Sequence, residues 1–113
     1  DNKHDAIYVS LKTATIAGFS AAELLTASAT NVTYTIANYA TRDTGHKFYY
    51  YAGGTATALT APNCYDDLAL AGYTEIVSAT AVADTVDSGY YGALVELDEN
   101  GRAIRFGTIK ASA

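Results

Sequence analysis

The chain has 113 residues, of which 50% are hydrophobic and 17% are charged, and its formal net charge is −5. This length suits one domain with a modest core, and the composition is too apolar for a disordered chain. The acidic balance and the lack of a basic stripe argue against nucleic acid and anionic membranes as partners. No apolar run approaches the roughly 20 residues of a membrane-spanning helix.

The N-terminal residues are polar and are followed by an alternating stretch. Residues 1–5 lack the hydrophobic stretch of a signal peptide, and we expect them to form a flexible arm of a single domain spanning residues 1–113. The sequence begins with aspartate and contains no methionine, so we expect a leader, a tag or a further segment before it. Residues 6–12, AIYVSLK, alternate apolar and polar side chains and predict a half-buried strand.

A short helix is predicted over residues 20–26. Ser20 and Glu23 have the spacing of a capping box, in which each side chain bonds the free backbone N–H of the other. Phe19 and Leu24 have the spacing of a hydrophobic staple, and the alanines and leucines between them favour a helix.

Two further β elements are predicted in the middle of the chain. Residues 31–37, NVTYTIA, alternate and indicate a strand whose apolar face carries Val32, Tyr34 and Ile36. The stretch FYYYAGGTATAL, residues 48–59, is typical of a hairpin with Gly53-Gly54 as its two-residue turn.

A second short helix is predicted over residues 64–71. Asn63 can cap it, Asp66 and Asp67 suit its positive N-terminus, and Gly72 suits the left-handed position after its end. Residues 73–82, YTEIVSATAV, are rich in strand formers and predict one more strand.

The C-terminal hairpin has the strongest local signal in the sequence. Asn100-Gly101 is a preferred hairpin turn, and a two-residue loop there places Glu96 opposite Arg105. The same register pairs Val95 with Phe106 and Leu97 with Ile104 on the other face. The predicted fold is therefore mainly β, either all-β or β-rich α+β. We expect a compact antiparallel sheet, sandwich or barrel of about six strands, with two short helices at about 20–26 and 64–71.

No constellation of residues predicts an enzyme, a metal site or a cofactor. The two histidines, His4 and His46, have no zinc-type spacing, and the single cysteine, Cys64, has no CxxC partner. A thiol enzyme using Cys64, with His46 as its base, is the remaining catalytic hypothesis, and its spacing gives it no support. The chain is predicted not to be an enzyme.

Tyrosine is the residue type that most needs an explanation. Ten tyrosines occur in the chain, with one cluster at residues 48–51 and another at 90–91. Neighbouring strand residues point to opposite faces, so these rings cannot all enter one core. Stacking across strands is one explanation, and an interface is the other, because tyrosine supplies large, rigid contact area. We predict contact roles for Phe48, Tyr49, Tyr50, Tyr51, Tyr90 and Tyr91.

The leading hypothesis is a non-enzymatic assembly protein that packs with copies of itself or onto a larger lattice. Examples are a capsid decoration or other virion accessory protein, or a surface-filament subunit, which implies a virion or an extracellular surface. The alternative is a carbohydrate-binding β module in which exposed tyrosines form a platform for a glycan. The oligomeric state separates the two, because only the first requires self-association.

Overall fold

The computed structural model describes residues 16–19 and 23–111, and they form two antiparallel β-sheets. One sheet has the strand order β1-β2-β5, and the other has the order β4-β3-β6-β7. The strands are β1 (Glu23–Ala27), β2 (Asn31–Ile36), β3 (Lys47–Tyr51), β4 (Tyr73–Ile76), β5 (Val82–Thr85), β6 (Tyr91–Leu97) and β7 (Ala103–Lys110). The mainly β, antiparallel class is therefore confirmed.

The strand β2 shows the alternation that its sequence predicts. Val32, Tyr34 and Ile36 are fully buried, whereas the residues between them are half-buried. The buried side chains pack against Phe48 of β3 and Leu94 of β6, so the first core lies between the two sheets. This arrangement is a β-sandwich.

Tyr34 fills the centre of this core and lies against Gly92 of β6. An added Cβ at Gly92 would overlap the Tyr34 hydroxyl oxygen and lie 3.2 Å from Cγ1 of Val32. The hydroxyl forms no well-aligned hydrogen bond among the described residues. Burial and the nearby charge of Asp84 raise the pKa of Tyr34, and the Ala93 backbone favours the phenolate too weakly to reverse this.

The C-terminal hairpin is confirmed, with a correction to its loop. Val95 pairs with Phe106 and Glu96 with Arg105, as predicted, but Leu97 pairs with Ala103 and not with Ile104, because a bulge shifts the register. The loop has three residues and not two, since Gly101 N–H bonds the Asp98 carbonyl at 2.9 Å and Gly101 has φ +80°. A turn closed by a left-handed glycine is the common three-residue hairpin.

The outer face of the four-stranded sheet is also buried, because residues 52–72 run across it. We call this stretch the covering segment. It contributes Leu59, Leu68 and Leu70 to a second core that also contains Ala93, Val95, Leu97, Ala103 and Phe106. Backbone hydrogen bonds hold it in place: Tyr65 N–H to the Ala103 carbonyl at 2.7 Å and Ala103 N–H to the Asp66 carbonyl at 2.9 Å.

The two predicted helices are wrong. Within residues 20–26, the described part, from Glu23 onward, belongs to β1, which pairs with β2 from Glu23↔Ile36 to Ala27↔Val32. Residues 64–71 lie in the covering segment, where Tyr65 has φ +67°, a conformation that ends a helix. Asn63 and Asp66 do bond each other, but across a tight turn, with Asn63 N–H donating to the Asp66 carboxylate at 2.9 Å.

The predicted hairpin at Gly53-Gly54 is also wrong. Both glycines have positive φ, 79° and 70°, as a tight hairpin turn requires. However, β3 pairs with β4 on one side and with β6 on the other, so residues 55–59 find no free edge on it. Instead, Thr55 forms an isolated bridge with Tyr91.

The strand predicted over residues 73–82 is divided in two. Tyr73–Ile76 forms β4 in one sheet, and Val82–Thr85 forms β5 in the other, so the chain crosses between the sheets at residues 77–81. The strand predicted over residues 6–12 and the arm predicted over residues 1–5 lie outside the described residues.

Candidate interaction surface

The predicted contact residues of β3 divide between the two faces of their sheet. Phe48 is 1% exposed and belongs to the first core, where its ring lies 6.5 Å from the Tyr39 ring. Tyr50 is half-buried against the same core, with its ring 5.1 Å from the Tyr34 ring. On this face part of the Tyr50 side chain is exposed, whereas Phe48 is buried and packs against the rings of Phe19 and Tyr39.

Tyr49 and Tyr51 lie on the outer face, beneath the covering segment. Both rings pack against the second core together with Leu68. The Tyr51 ring also meets the Tyr73 ring edge-on, with centroids 5.3 Å apart at 87°. Burial and the neighbouring Tyr51 raise the pKa of Tyr73. The chain itself therefore covers much of these two rings, and both remain half-buried.

The second predicted cluster lies at the opposite end of the sheet from the hairpin turn. Tyr90 is half-buried against the first core. Tyr91 begins β6 and exchanges two backbone hydrogen bonds with Thr55, at 2.8 and 3.0 Å. The Lys110 ammonium lies 5.8 Å from the Tyr91 ring centroid, within the range of a cation–π contact. Whether any of these tyrosines touches a partner stays a prediction.

A cleft of about 340 Å³ opens at the hairpin end of the outer face. Tyr49, Leu70 and Leu97 form its apolar lining. Its polar lining comes from Lys47 and from the hairpin turn, residues 98–101. The cleft thus offers one aromatic ring, one cation and several oxygen atoms close together.

A buried charge cluster connects β3, β6 and β7 at this end of the sheet, and only one of its pairs is predictable from the sequence. Glu96, 4% exposed, accepts hydrogen bonds from Arg105 and from His46, whose Nδ1 lies 2.8 Å from Glu96 Oε2. The other ring nitrogen of His46, Nε2, lies 3.2 Å from Glu99 Oε2 in the hairpin turn. The sequence predicted the pairing of Glu96 with Arg105, but nothing in it placed His46 beside them.

His46 is 8% exposed, and its environment acts on its pKa in both directions. Burial lowers the pKa, but the hydrogen bond and the charge of Glu96, with help from Asp43 and Glu99, outweigh it. The net result is a pKa above the ordinary 6.5. The two carboxylates therefore stabilise the protonated form of His46 relative to a histidine exposed to solvent.

The thiol-enzyme hypothesis gains no geometric support. Both ring nitrogens of His46 are engaged by carboxylates, so neither bonds Cys64, which is half-buried in the covering segment. Among residues 16–19 and 23–111 no group of three His, Cys, Asp or Glu side chains is arranged to hold a metal ion. That same part of the chain has no helix with the length and hydropathy needed to span a membrane.

A small polar pocket of about 120 Å³ adjoins the charge cluster. Arg42 lies on its wall, with its guanidinium 3.9 Å from the Tyr39 ring centroid and its Nε donating to the His46 carbonyl at 3.0 Å. The pocket contains positive and negative groups that already bond one another, which is typical of a structural network.

Comparison with solved structures identifies proteins with a similar fold. A crystal structure of domains 7, 8 and 9 of the S-layer protein SbsC matches 80% of this chain at a TM-score of 0.57 and 22% identity. A structure of domains 4–9 of the same surface layer protein matches 89% at a TM-score of 0.54 and 23% identity. This chain spans 28% of the first chain and 15% of the second.

Identities this low relate the chains by fold alone. No protein-family model matches this chain, and no curated protein does.

Proposed function

We propose that this chain is a structural unit of a surface layer and that it packs with copies of itself into a lattice. The observation that carries the proposal is the fold likeness to domains of an S-layer protein, over 80% and 89% of this chain. The low charge and the partly exposed tyrosines add support, because both suit a protein surface that meets another.

The fraction of each solved structure that this chain covers indicates how many domains it corresponds to. This chain spans 28% of a structure that contains three domains and 15% of one that contains six. Both fractions are close to what one domain would occupy, about a third of the first structure and about a sixth of the second. We therefore infer that the chain corresponds to one domain of a serial array, and that an extracellular surface is its location. The solved structures favour a cell-surface layer over a virion.

A structural role also accounts for the ionisable groups. His46, Glu96, Glu99 and Arg105 satisfy one another and tie the start of β3 to the hairpin. No reaction is needed to explain their positions, so we propose a protein without enzymatic activity. The net charge of −5 disfavours binding to nucleic acid, whose backbone is also negative.

The tyrosines are proposed as contact residues through the parts of their rings that stay exposed. All five of these tyrosines are half-buried. The cores fix the rings of Tyr49, Tyr50, Tyr51 and Tyr90 on one side, and the ring of Tyr91 contacts Lys110. A ring that is already immobile loses little entropy when a partner covers the rest of it. Phe48 would act indirectly, by supporting Tyr50.

Oligomeric state tests the proposal. Light scattering and electron microscopy of the purified chain at rising concentration should reveal association into regular arrays. Tyr50→Ala combined with Tyr91→Ala should weaken that association, whereas Thr60→Ala, at an exposed site in the covering segment, should not. Circular dichroism would verify that each variant is folded. A wild-type chain that stays monomeric at every concentration would overturn the proposal.

Glycan binding is the second candidate, and the cleft beside Tyr49 is the observation that favours it. An aromatic ring next to polar side chains is suited to a sugar, whose ring stacks while its hydroxyls bond the rim. Binding on a glycan array that disappears with Lys47→Ala and Asn100→Ala, and persists with Thr60→Ala, would support this function. Absence of binding to every glycan would remove it.

A further inference from the structure

One side of the sandwich is bounded by β4 and β5. The strand β1 lies against β7, so the opposite edges of the two sheets, β4 and β5, share the other side. No strand pairs with the outer edge of either β4 or β5 in the described ranges 16–19 and 23–111. We call this surface the β4–β5 side. Its exposed residues are Thr74, residues 77–81, Ala83 and Thr85.

The β4–β5 side is almost uncharged. Residues 73–85 contain two carboxylates, Glu75 and Asp84, both half-buried, and contain no lysine, arginine or proline. The Asp84 carboxylate already accepts a hydrogen bond from Gly53 N–H at 2.8 Å. Val77 also lies on this side. Within the described part of the chain it is the one large hydrophobic residue that is exposed, with 67% of its surface accessible.

The outer edges of β4 and β5 have no charged residue at an exposed position. An edge strand presents unpaired N–H and C=O groups, and proteins protect it with short strand length, charged side chains, proline, a bulge or a covering loop. Here the strands are short, four residues each, and each has one half-buried carboxylate. The outer edges of β4 and β5 carry neither lysine nor proline, and small side chains such as Ala83 would allow another backbone to approach closely. Such an edge is suited to pairing with another chain.

We propose that the β4–β5 side is the surface through which one copy of this chain contacts a second copy. The argument for a second copy is the charge. Each chain carries −5, so two copies repel wherever their carboxylates face each other. The exposed positions of the β4–β5 side carry no charge, and its two carboxylates are half-buried, so contact there keeps that repulsion small. A cationic partner would instead select the acidic parts of the surface. This inference rests on the proposed function, self-association, and names one of the surfaces that take part in it.

Lysine substitutions test the surface directly. Val77→Lys and Ala83→Lys each place a charge on the β4–β5 side at an exposed position, where the fold should tolerate it. Thr60→Lys is the matched control, because it makes the same change in net charge at an exposed site on the covering segment. Each added lysine also reduces the net negative charge and hence the general repulsion between copies. A loss of association must therefore come from the position of the lysine.

We expect the wild-type chain and Thr60→Lys to associate alike in analytical ultracentrifugation, and each β4–β5 variant to raise the dissociation constant by about tenfold or more. Amide hydrogen exchange of the wild type gives a second readout that needs no variant. Amides of Thr74–Ile76 and Ala83–Thr85 should be more protected in the assembled protein than in the dilute monomer.

The possible outcomes separate the two proposals. If the lysine variants associate as tightly as the wild type, or if those amides gain no protection, the inference about this side is wrong while self-association stands. If the wild-type chain itself never associates, both proposals are wrong. A melting temperature measured for each variant ensures that lost association is not lost folding.

Discussion

Gly92 lies where the core has no room for even one more carbon atom. An added Cβ would overlap the Tyr34 hydroxyl, and the ring behind that hydroxyl cannot move away because it is fully buried. We expect Gly92→Ala to lower the free energy of unfolding by about 1–3 kcal/mol, the usual cost of overpacking. Urea denaturation followed by circular dichroism would measure it.

The Tyr34 hydroxyl provides the control for this prediction. Tyr34→Phe removes an atom that has no well-aligned partner, so alone it should be close to neutral or slightly stabilising. In that background Gly92→Ala should cost much less, because the next ring atom, Cζ, lies 3.3 Å from the added carbon. Gly18→Ala, with nothing within 4 Å, should change stability by less than about 0.5 kcal/mol. An equal cost of Gly92→Ala in both backgrounds would show that the hydroxyl is not the obstacle.

His46 should make the stability of the protein depend on pH. Its pKa is above 6.5 in the folded state, so protonated His46 stabilises the fold fully at pH values below 6.5. That contribution is lost as the pH rises through the raised folded pKa. We expect the free energy of unfolding to fall with rising pH over this range.

The variant His46→Gln isolates this effect from His4. The wild type and His46→Gln should differ most at pH values below 6.5, and the difference should shrink as the pH rises. Equilibrium unfolding at several pH values above the range of carboxylate titration would measure it. A difference that stays constant with pH would mean that the protonation of His46 does not contribute.

At the scale of the element, the hairpin between β6 and β7 depends on one carboxylate. Asp98 Oδ1 accepts hydrogen bonds from Asn100 N–H at 2.9 Å and from Arg102 N–H at 3.0 Å. Asp98→Ala leaves both donors without this acceptor and should cost about 1–2 kcal/mol in chemical denaturation. Asp98→Asn keeps an oxygen atom there and should retain most of the stability. Equal losses in the two variants would indicate that the charge, and not the acceptor, matters.

This hairpin was predictable from sequence because its information is local. The turn residues and the pairs Glu96–Arg105 and Val95–Phe106 indicate the register that the structure has up to Glu96. The sequence did not indicate the bulge, which shifts the register from Leu97 onward. The alternation of β2 was equally readable, because a strand with one buried face shows it in its side chains. The class of the fold follows from such elements.

The elements that were mispredicted depend on distant partners. The capping signals near Glu23 are real local preferences, but pairing with β2 overrides them. Gly53 and Gly54 adopt the backbone of a tight turn, yet β4 and β6 already occupy both edges of β3. Local propensity depends on neighbours in sequence, and it carries no information about which distant strands pair with β3.

The candidate surface was predictable only in part for the same reason. The tyrosines of β3 were expected on two faces, and they are on two faces. Their cover on the outer face comes from leucines of the covering segment, which the sequence suggested would be a hairpin strand and a helix. The proposed β4–β5 side depends on the strand order, and no pattern in the sequence specifies that order.

At the scale of the whole molecule, a lattice sets a geometric requirement. A unit that extends an array in two directions needs at least two distinct contact surfaces, because a single two-fold contact closes into a dimer. The tyrosine clusters and the β4–β5 side would together provide more than one. The two proposals are therefore compatible, and the variants described above test them separately.

Association of the intact chain should respond to salt in a way that reflects its charge. Copies that each carry −5 repel at low ionic strength, and residues 73–85 contain no lysine or arginine that could form an ion pair between two β4–β5 sides. We expect the dissociation constant measured by ultracentrifugation to fall as sodium chloride is raised, and also as the pH approaches the pI of about 4.7. Weaker association at higher salt would instead point to ion pairs across the interface.

The covering segment has one more consequence, which concerns proteases. Residues 52–72 run over the surface of the four-stranded sheet and contain exposed stretches such as residues 56–58 and 60–61. Exposed loops of this kind are where proteases cut folded proteins first. A cut there would leave β3 paired with β4 and β6, and β2 paired with β5, so the two chain fragments would stay hydrogen-bonded within both sheets. We therefore expect the protein to stay folded after a single cut in this segment, and within the layer proposed above such a unit would keep its place.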